Sequence, residues 1–139
     1  MSRNNIISAQ ELKALADALA DEYMAHETYT QVIRDFGEIQ PFSNILEAEA
    51  RHVAALVTLF EHYGLSVPPN RWPGKVPRYP SIHEACIAGV QAEINNAALY
   101  DQLIASTRRP DILEVFKALR SASEDHHLPA FQRCVQRLF

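Results

Sequence analysis

Two stretches of this chain, Glu22 to Ile33 and Glu93 to Ile104, keep glutamate, tyrosine, glutamine and isoleucine at the same offsets without a gap. The first carries Glu22, Tyr29, Gln31 and Ile33, and the second Glu93, Tyr100, Gln102 and Ile104. Each stretch is followed by an E-x-x-H motif, Glu49 with His52 and Glu124 with His127. An internal repeat of this kind calls for a fold in two like halves. On a helix, positions i and i+3 share a face, so each motif sends a carboxylate and an imidazole toward one point. One such pair does not hold a metal ion alone. Glu plus E-x-x-H, twice over, supplies four carboxylates and two imidazoles, the set with which a four-helix bundle holds two metal ions in its core.

Spacing alone is weak evidence. Eleven glutamates and six histidines scattered over the chain give about 0.5 E-x-x-H motifs by chance. Placement says more. The first helical stripe reads Leu12, Leu15, Leu19, Glu22, His26, Tyr29, Ile33, Phe36, and the second Phe42, Ile45, Glu49, His52, Leu56, Leu59, Tyr63. Glu22, Glu49 and His52, and Glu93 on the third stripe, therefore fall on core-facing positions. A carboxylate buried without a partner is costly, so a cluster of them must be protonated, ion-paired or metal-bound.

Helix boundaries follow from capping and breaking residues. Ser8 and Glu11 have the spacing of a capping box, and Gly37 is a stop, which predicts a helix over about residues 9–36. Pro41 opens a second helix over 41–63, closed by Gly64. Residues 65–80 hold five prolines and a glycine and form a linker between the halves. Sixteen extended residues reach at most about 55 Å, against about 33 Å for the second helix, so the linker is long enough to cross the whole bundle. Ser81 and Glu84 repeat the capping-box spacing and open a third helix over 82–106, with Cys86, Gly89, Glu93, Ala97 and Tyr100 on one face. A fourth runs over 111–138, with a kink expected at Pro129. The expected fold is all-α, a single domain over 1–139, built as a four-helix bundle of two antiparallel helix hairpins joined by a long crossover linker.

Several side chains keep two readings. Glu22 lies on the apolar face and Glu27 off it, yet the depth of Glu27 in the hairpin suits it better, so the choice between them is open. A phase shift of one residue in the fourth helix would turn Ser123 and His126 inward in place of Glu124 and His127. His26, one turn from Glu22, reads as a hydrogen-bonded core histidine or as a partner of the ligands. Tyr29 and Tyr100 read as core packing, with a hydrogen bond to a metal-ligating carboxylate as the alternative. Trp72 is expected to pin the linker onto the bundle, with Arg71, Lys75 and Arg78 in solvent.

Composition excludes other classes. With 47% hydrophobic and 22% charged residues, the chain has the balance of a globular domain. Its net charge of −4, with no basic run, points away from nucleic acid and anionic membrane surfaces. No stretch has the roughly 20 apolar residues of a membrane span, and the amino terminus shows no apolar signal core, so cytoplasmic residence is expected. Cys86 and Cys134 match neither a CxxC pair nor a zinc site and are expected as buried small hydrophobes, although hairpin geometry allows them to meet at one end of a bundle.

The strings FSNILEAEARH (42 to 52) and EDHHLPAF (124 to 131), with YGL at 63 to 65, resemble the ferritin-like superfamily, close to a family of uncharacterised bacterial domains related to rubrerythrin and ferritin. The resemblance covers nearly the whole chain. It implies a di-iron carboxylate site in which Glu22, Glu49 with His52, Glu93, and Glu124 with His127 bind two metal ions, iron in the first place and manganese as the alternative. It further implies oxidoreductase chemistry with dioxygen or peroxide as the small-molecule oxidant, or oxidation of ferrous iron. Unlike rubrerythrin, the chain has no CxxC pair for an electron relay. Its second helix also lacks a methionine of the kind that ligates haem in bacterioferritin. Two rivals stand beside this expectation: a metal-binding or storage subunit without turnover, and a metal-free helical scaffold. Assembly as a homodimer or larger homo-oligomer is compatible with each.

Overall fold

In the computed structural model, which describes residues 6–137, Ser8 starts the first helix as its spacing from Glu11 predicts. The Ser8 hydroxyl accepts from the Glu11 amide at 3.0 Å and the Ser8 amide donates to the Glu11 carboxylate at 3.1 Å, a reciprocal cap that satisfies two helix-end donors. Helix α1 runs Ala9–Phe36. Gly37, at φ 87°, ends it in a backbone conformation that a side chain would strain. Helix α2 spans Phe42–His62, directly after Pro41. Helix α3 spans Ile82–Ile104, its first turn capped by the Ser81 hydroxyl, which accepts from the Glu84 amide at 3.1 Å.

The expected fourth helix is divided. Helix α4 covers Pro110–Ser121, a π-helical turn takes Ala122–His127, and helix α5 covers Leu128–Gln136. The expected end at residue 138 lies outside the described residues. Pro129 has no amide hydrogen to offer the carbonyl four residues back, and its ring crowds that carbonyl. The wider π turn lies directly before it. Among the described residues every regular element is a helix, and none is long and apolar enough to cross a membrane.

The linker lies along α1. The Tyr23 hydroxyl donates to the Pro68 carbonyl at 3.3 Å, the Asn70 amide to Glu27 at 3.1 Å, and the Arg78 Nε to Asp35 at 3.1 Å. These bonds advance together along both segments, so the linker carries the chain toward the end of α1 where α2 begins. Arg78 is in solvent as expected, its side chain 70% exposed, and pairs there with Asp35. Helix α3 then runs antiparallel to α1, with Tyr29 opposite Glu93 and Tyr100 opposite Glu22.

Apolar side chains form two clusters. One holds Leu15, Leu19, Leu56, Phe60, Tyr100 and Phe116, and the other Tyr29, Phe42, Ile45, Phe131 and the two cysteines. The cysteines are buried as expected, and the meeting that hairpin geometry allowed takes place: Cys86 and Cys134, both fully buried, form a disulfide between α3 and α5. Their sequence separation of 48 residues corresponds to about 4 kcal/mol of loop entropy removed from the unfolded chain. Leu12, expected on the inner stripe of α1, is exposed instead.

Candidate metal centre

Each helix crosses the gap between the two apolar clusters with polar residues. Along α1 the order is Leu19, Glu22, Tyr29, and along α2 it is Ile45, Glu49, His52, Leu56. Along α3 it is Cys86, Glu93, Tyr100, and from α4 into α5 it is Leu119, Ser123, His127, Phe131. Glu22, Glu49 and Glu93 are 1–2% exposed, His127 5% and His52 9%, so water is nearly excluded. These five side chains form two groups of metal-ligand spacing, Glu22 with Glu49 and His52, and Glu49 with Glu93 and His127. In each group the donor atoms lie within 4.8 Å of one another, and Glu49 belongs to both.

Glu49 stands between the two imidazoles. Its Oε2 lies 3.5 Å from His52 Nδ1 and its Oε1 lies 3.5 Å from His127 Nδ1. The rings face each other, stacked with centroids 5.6 Å apart. His52 Nδ1 also meets Glu22 Oε1 at 3.2 Å, and His127 Nδ1 meets Glu93 Oε1 at 3.3 Å. Glu49 Oε2 is buried with no hydrogen-bond partner among the described residues.

The other sequence candidates separate clearly. Glu22 joins the cluster and Glu27 does not; Glu27 is bonded to His26 at 2.9 Å and to Asn70 of the linker. His127 faces inward, whereas His126 is exposed. Glu124 is a correction: its side chain is 47% exposed and pairs with Arg120 at 2.6 Å. The cause is the π turn, which brings the residue four before His127 onto the inner face, so Ser123 occupies the place expected for Glu124. Ser123 donates to Asn96, whose amide in turn donates to Asp21 and, at 3.3 Å, to Glu22. Asn96 and Asp21 were not singled out by sequence. The signal for Asn96 was its spacing of three from Glu93, on the face of α3 that turns inward.

Tyr29 and Tyr100 hold the carboxylates. The Tyr29 hydroxyl donates to Glu93 Oε2 at 2.5 Å and the Tyr100 hydroxyl to Glu22 Oε2 at 2.8 Å. Each tyrosine thus serves the glutamate of the opposite hairpin. Burial first, then the nearby carboxylate charges, raises both phenols well above their ordinary value, so they remain donors.

Burial, then the Glu49 charge, pushes the Glu22 carboxyl up to about 7. Burial acts to raise Glu49 too, but the nearby Glu22, His127 and His52 outweigh it and hold Glu49 below the usual carboxylate value. For the imidazoles burial opposes the charge, yet bonds to Glu22 and Glu49 lift His52 to about 9, and bonds to Glu49 and Glu93 lift His127 to about 9. Without a metal ion, the two rings are imidazolium at neutral pH and compensate the carboxylates.

Fold and site together define an all-helical bundle with a buried layer of carboxylates and imidazoles at metal-ligand spacing. Neither a protein-family model nor a curated protein matches the chain. Two solved structures share the fold. A hypothetical protein, MJ0754, from Methanococcus jannaschii DSM 2661 is 26% identical with a TM-score of 0.83, over 94% of this chain and 82% of that one. A conserved hypothetical protein, rv2844, from Mycobacterium tuberculosis is 15% identical with a TM-score of 0.80, over 94% of each chain.

Proposed function

We propose that this chain is a ferritin-like protein that holds two metal ions, iron or manganese, between its helices and serves oxidoreductase chemistry with dioxygen or peroxide, ferrous iron oxidation included. The observation that carries this reading is Glu49: a fully buried carboxylate with one oxygen toward each of two imidazoles and one oxygen without a donor. That oxygen faces His52 Nδ1 at 3.5 Å without accepting a hydrogen bond, and a metal ion between carboxylate and ring would satisfy it. The donor set fits. Carboxylate oxygen and imidazole nitrogen suit iron and manganese, and no thiolate is present to favour softer metals.

Glu22 and His52 would hold one ion, Glu93 and His127 the other, and Glu49 would bridge. Metals so held would supply the electrons that reduce the oxidant. The chain's own groups do the rest. Tyr29 and Tyr100 fix the orientation of Glu93 and Glu22, and both imidazoles give up a proton so that Nδ1 is free to ligate. The protein donors number five rather than the six of the superfamily, because Glu124 is outside, so more of the coordination shell is left to solvent or oxidant.

Anaerobic addition of ferrous iron followed by desalting and elemental analysis is expected to give about two ions per chain. The Glu49→Ala, His52→Ala double variant is expected to retain less than half of that, and full occupancy in the variant would refute the site. Rapid-mixing absorbance after adding oxygen or peroxide then tests turnover.

One observation favours a second reading, a metal-free scaffold: two imidazolium rings already balance much of the carboxylate charge. The readings part in a thermal melt. A two-metal protein gains about 2.7 kcal/mol per site with free ferrous ion at a hundred times the dissociation constant, and a scaffold melts unchanged.

A further inference from the structure

Resting on the two-metal reading, we infer that the cavity between α1 and α3 binds a small, uncharged, largely apolar organic molecule beside the carboxylate side of the centre, as a substrate of that centre. The cavity has a volume of about 440 Å³. Its existence follows from residue size. Where α1 and α3 face each other, α1 presents Ala25 and Thr28 and α3 presents Ala85 and Ala88, too small to fill the space between two helices. Pro77 and Tyr79 of the linker form one edge. At the inner end stand Glu49, Glu93 and Tyr29, so the cavity leads from the surface to the centre.

Size and chemistry select the occupant. The volume is roughly three times that of an apolar cavity that holds benzene, and lies in the range of ordinary ligand sites. That admits a chain of about ten carbons or a molecule of two ring systems. Among the described residues no lysine, arginine or histidine lines it, while Asp21, Glu49 and Glu93 do. An anion there would meet carboxylates in a poorly hydrated space without a counter-charge. The histidine side of the centre is different. A second cavity, of about 470 Å³, is lined by His52 and His127 together with Arg51, Arg133 and Arg137. That side suits water and anions, which leaves the α1–α3 cavity as the apolar route.

The test uses N-phenyl-1-naphthylamine, an uncharged dye that brightens in apolar sites, titrated into the full chain without metal. Saturable binding is expected, with displacement by 1-octanol at least about tenfold better than by octanoate. Ala88→Phe and, separately, Ala25→Leu fill the cavity without touching a ligand of the centre. Each is expected to weaken the dye at least about tenfold, with helicity and metal content unchanged. Loading the centre with cobalt(II) is expected to quench the bound dye. Wild-type protein that takes up metal but does not bind the dye, or binds it equally well in both filled variants, overturns the inference and leaves the metal centre standing. Octanoate competing as well as octanol overturns the uncharged class. Dye binding that the filled variants abolish, in a chain that takes up no metal, overturns the metal reading and leaves the cavity a binding site.

Discussion

Glu49 and Glu124 begin as equivalent residues in two matching motifs and end in opposite environments. Glu49 is 2% exposed and shared by both groups of metal-ligand spacing, whereas the Glu124 side chain is 47% exposed beside Arg120. Substitution should separate them sharply. Glu49→Gln keeps the size but removes the charge that would join two cations, and is expected to lower bound metal to less than half. Glu124→Gln is expected to leave metal content unchanged and to cost no more than about 1 kcal/mol, the scale of an exposed ion pair. Elemental analysis and urea denaturation of the two variants decide the matter; loss of metal in Glu124→Gln would contradict the geometry. Glu22, Glu49, His52 and Glu93 were legible because each interrupts an apolar stripe, where a charge needs a reason. Glu124 was misplaced because its spacing from His127 was read at α-helical pitch, and the pitch changes at that turn. The apolar stripe favoured Glu22 over Glu27 while hairpin depth favoured Glu27, and in the structure Glu27 is engaged by His26 and by Asn70 of the linker instead.

Helix boundaries were legible to within a residue or two where glycine, proline and capping serines set them, as at Ser8, Gly37 and Ser81. In the fourth helix the irregularity expected near Pro129 is present, but its form as a π turn was not legible. That turn depends on partners in other elements, Ser123 with Asn96 and His127 with Glu93, which no local pattern reports. The approach of α3 to α5 likewise depends on one small residue. A Cβ built on Gly89 would lie 2.6 Å from the Phe131 ring. Phe131 is fully buried and has no room to yield, with its ring centroid 5.3 Å from that of Tyr29 and 5.2 Å from that of Phe42. The nearby disulfide restrains the same two helices from separating. Gly89→Ala would gain about 1 kcal/mol of helix propensity, but overpacking of about 1–3 kcal/mol should outweigh it, with a net loss of up to about 2 kcal/mol. A urea midpoint equal to or above that of the wild type would show that α5 can shift outward after all.

The molecule as a whole stores the charge of its centre between two apolar clusters, and that placement makes its stability depend on pH. His52 and His127 are raised from 6.5 to about 9, so the stability they contribute is complete below pH 6.5 and is lost as pH rises through 9. Glu22, raised from 4.5 to about 7, acts in the same direction between those values. Glu49, held low, acts oppositely, and its contribution is lost only as pH falls below the ordinary carboxylate range. Metal-free protein is therefore expected to melt at progressively lower temperature as pH rises from about 6.5 to about 9. Bound metal should flatten the slope, because above pH 6.5 the imidazoles are neutral both in the unfolded chain and when ligated. Ligation requires both imidazoles neutral, so each rise in pH removes protons that compete with the cation and strengthens binding. The difference in melting temperature between metal-loaded and metal-free chains should accordingly widen across that window, with protons released on titration with ferrous iron under anaerobic conditions. A metal-free melting temperature that stays level from pH 6.5 to 9 would mean that the rings are neutral in the folded protein, and a gap that fails to widen would mean that they do not ligate.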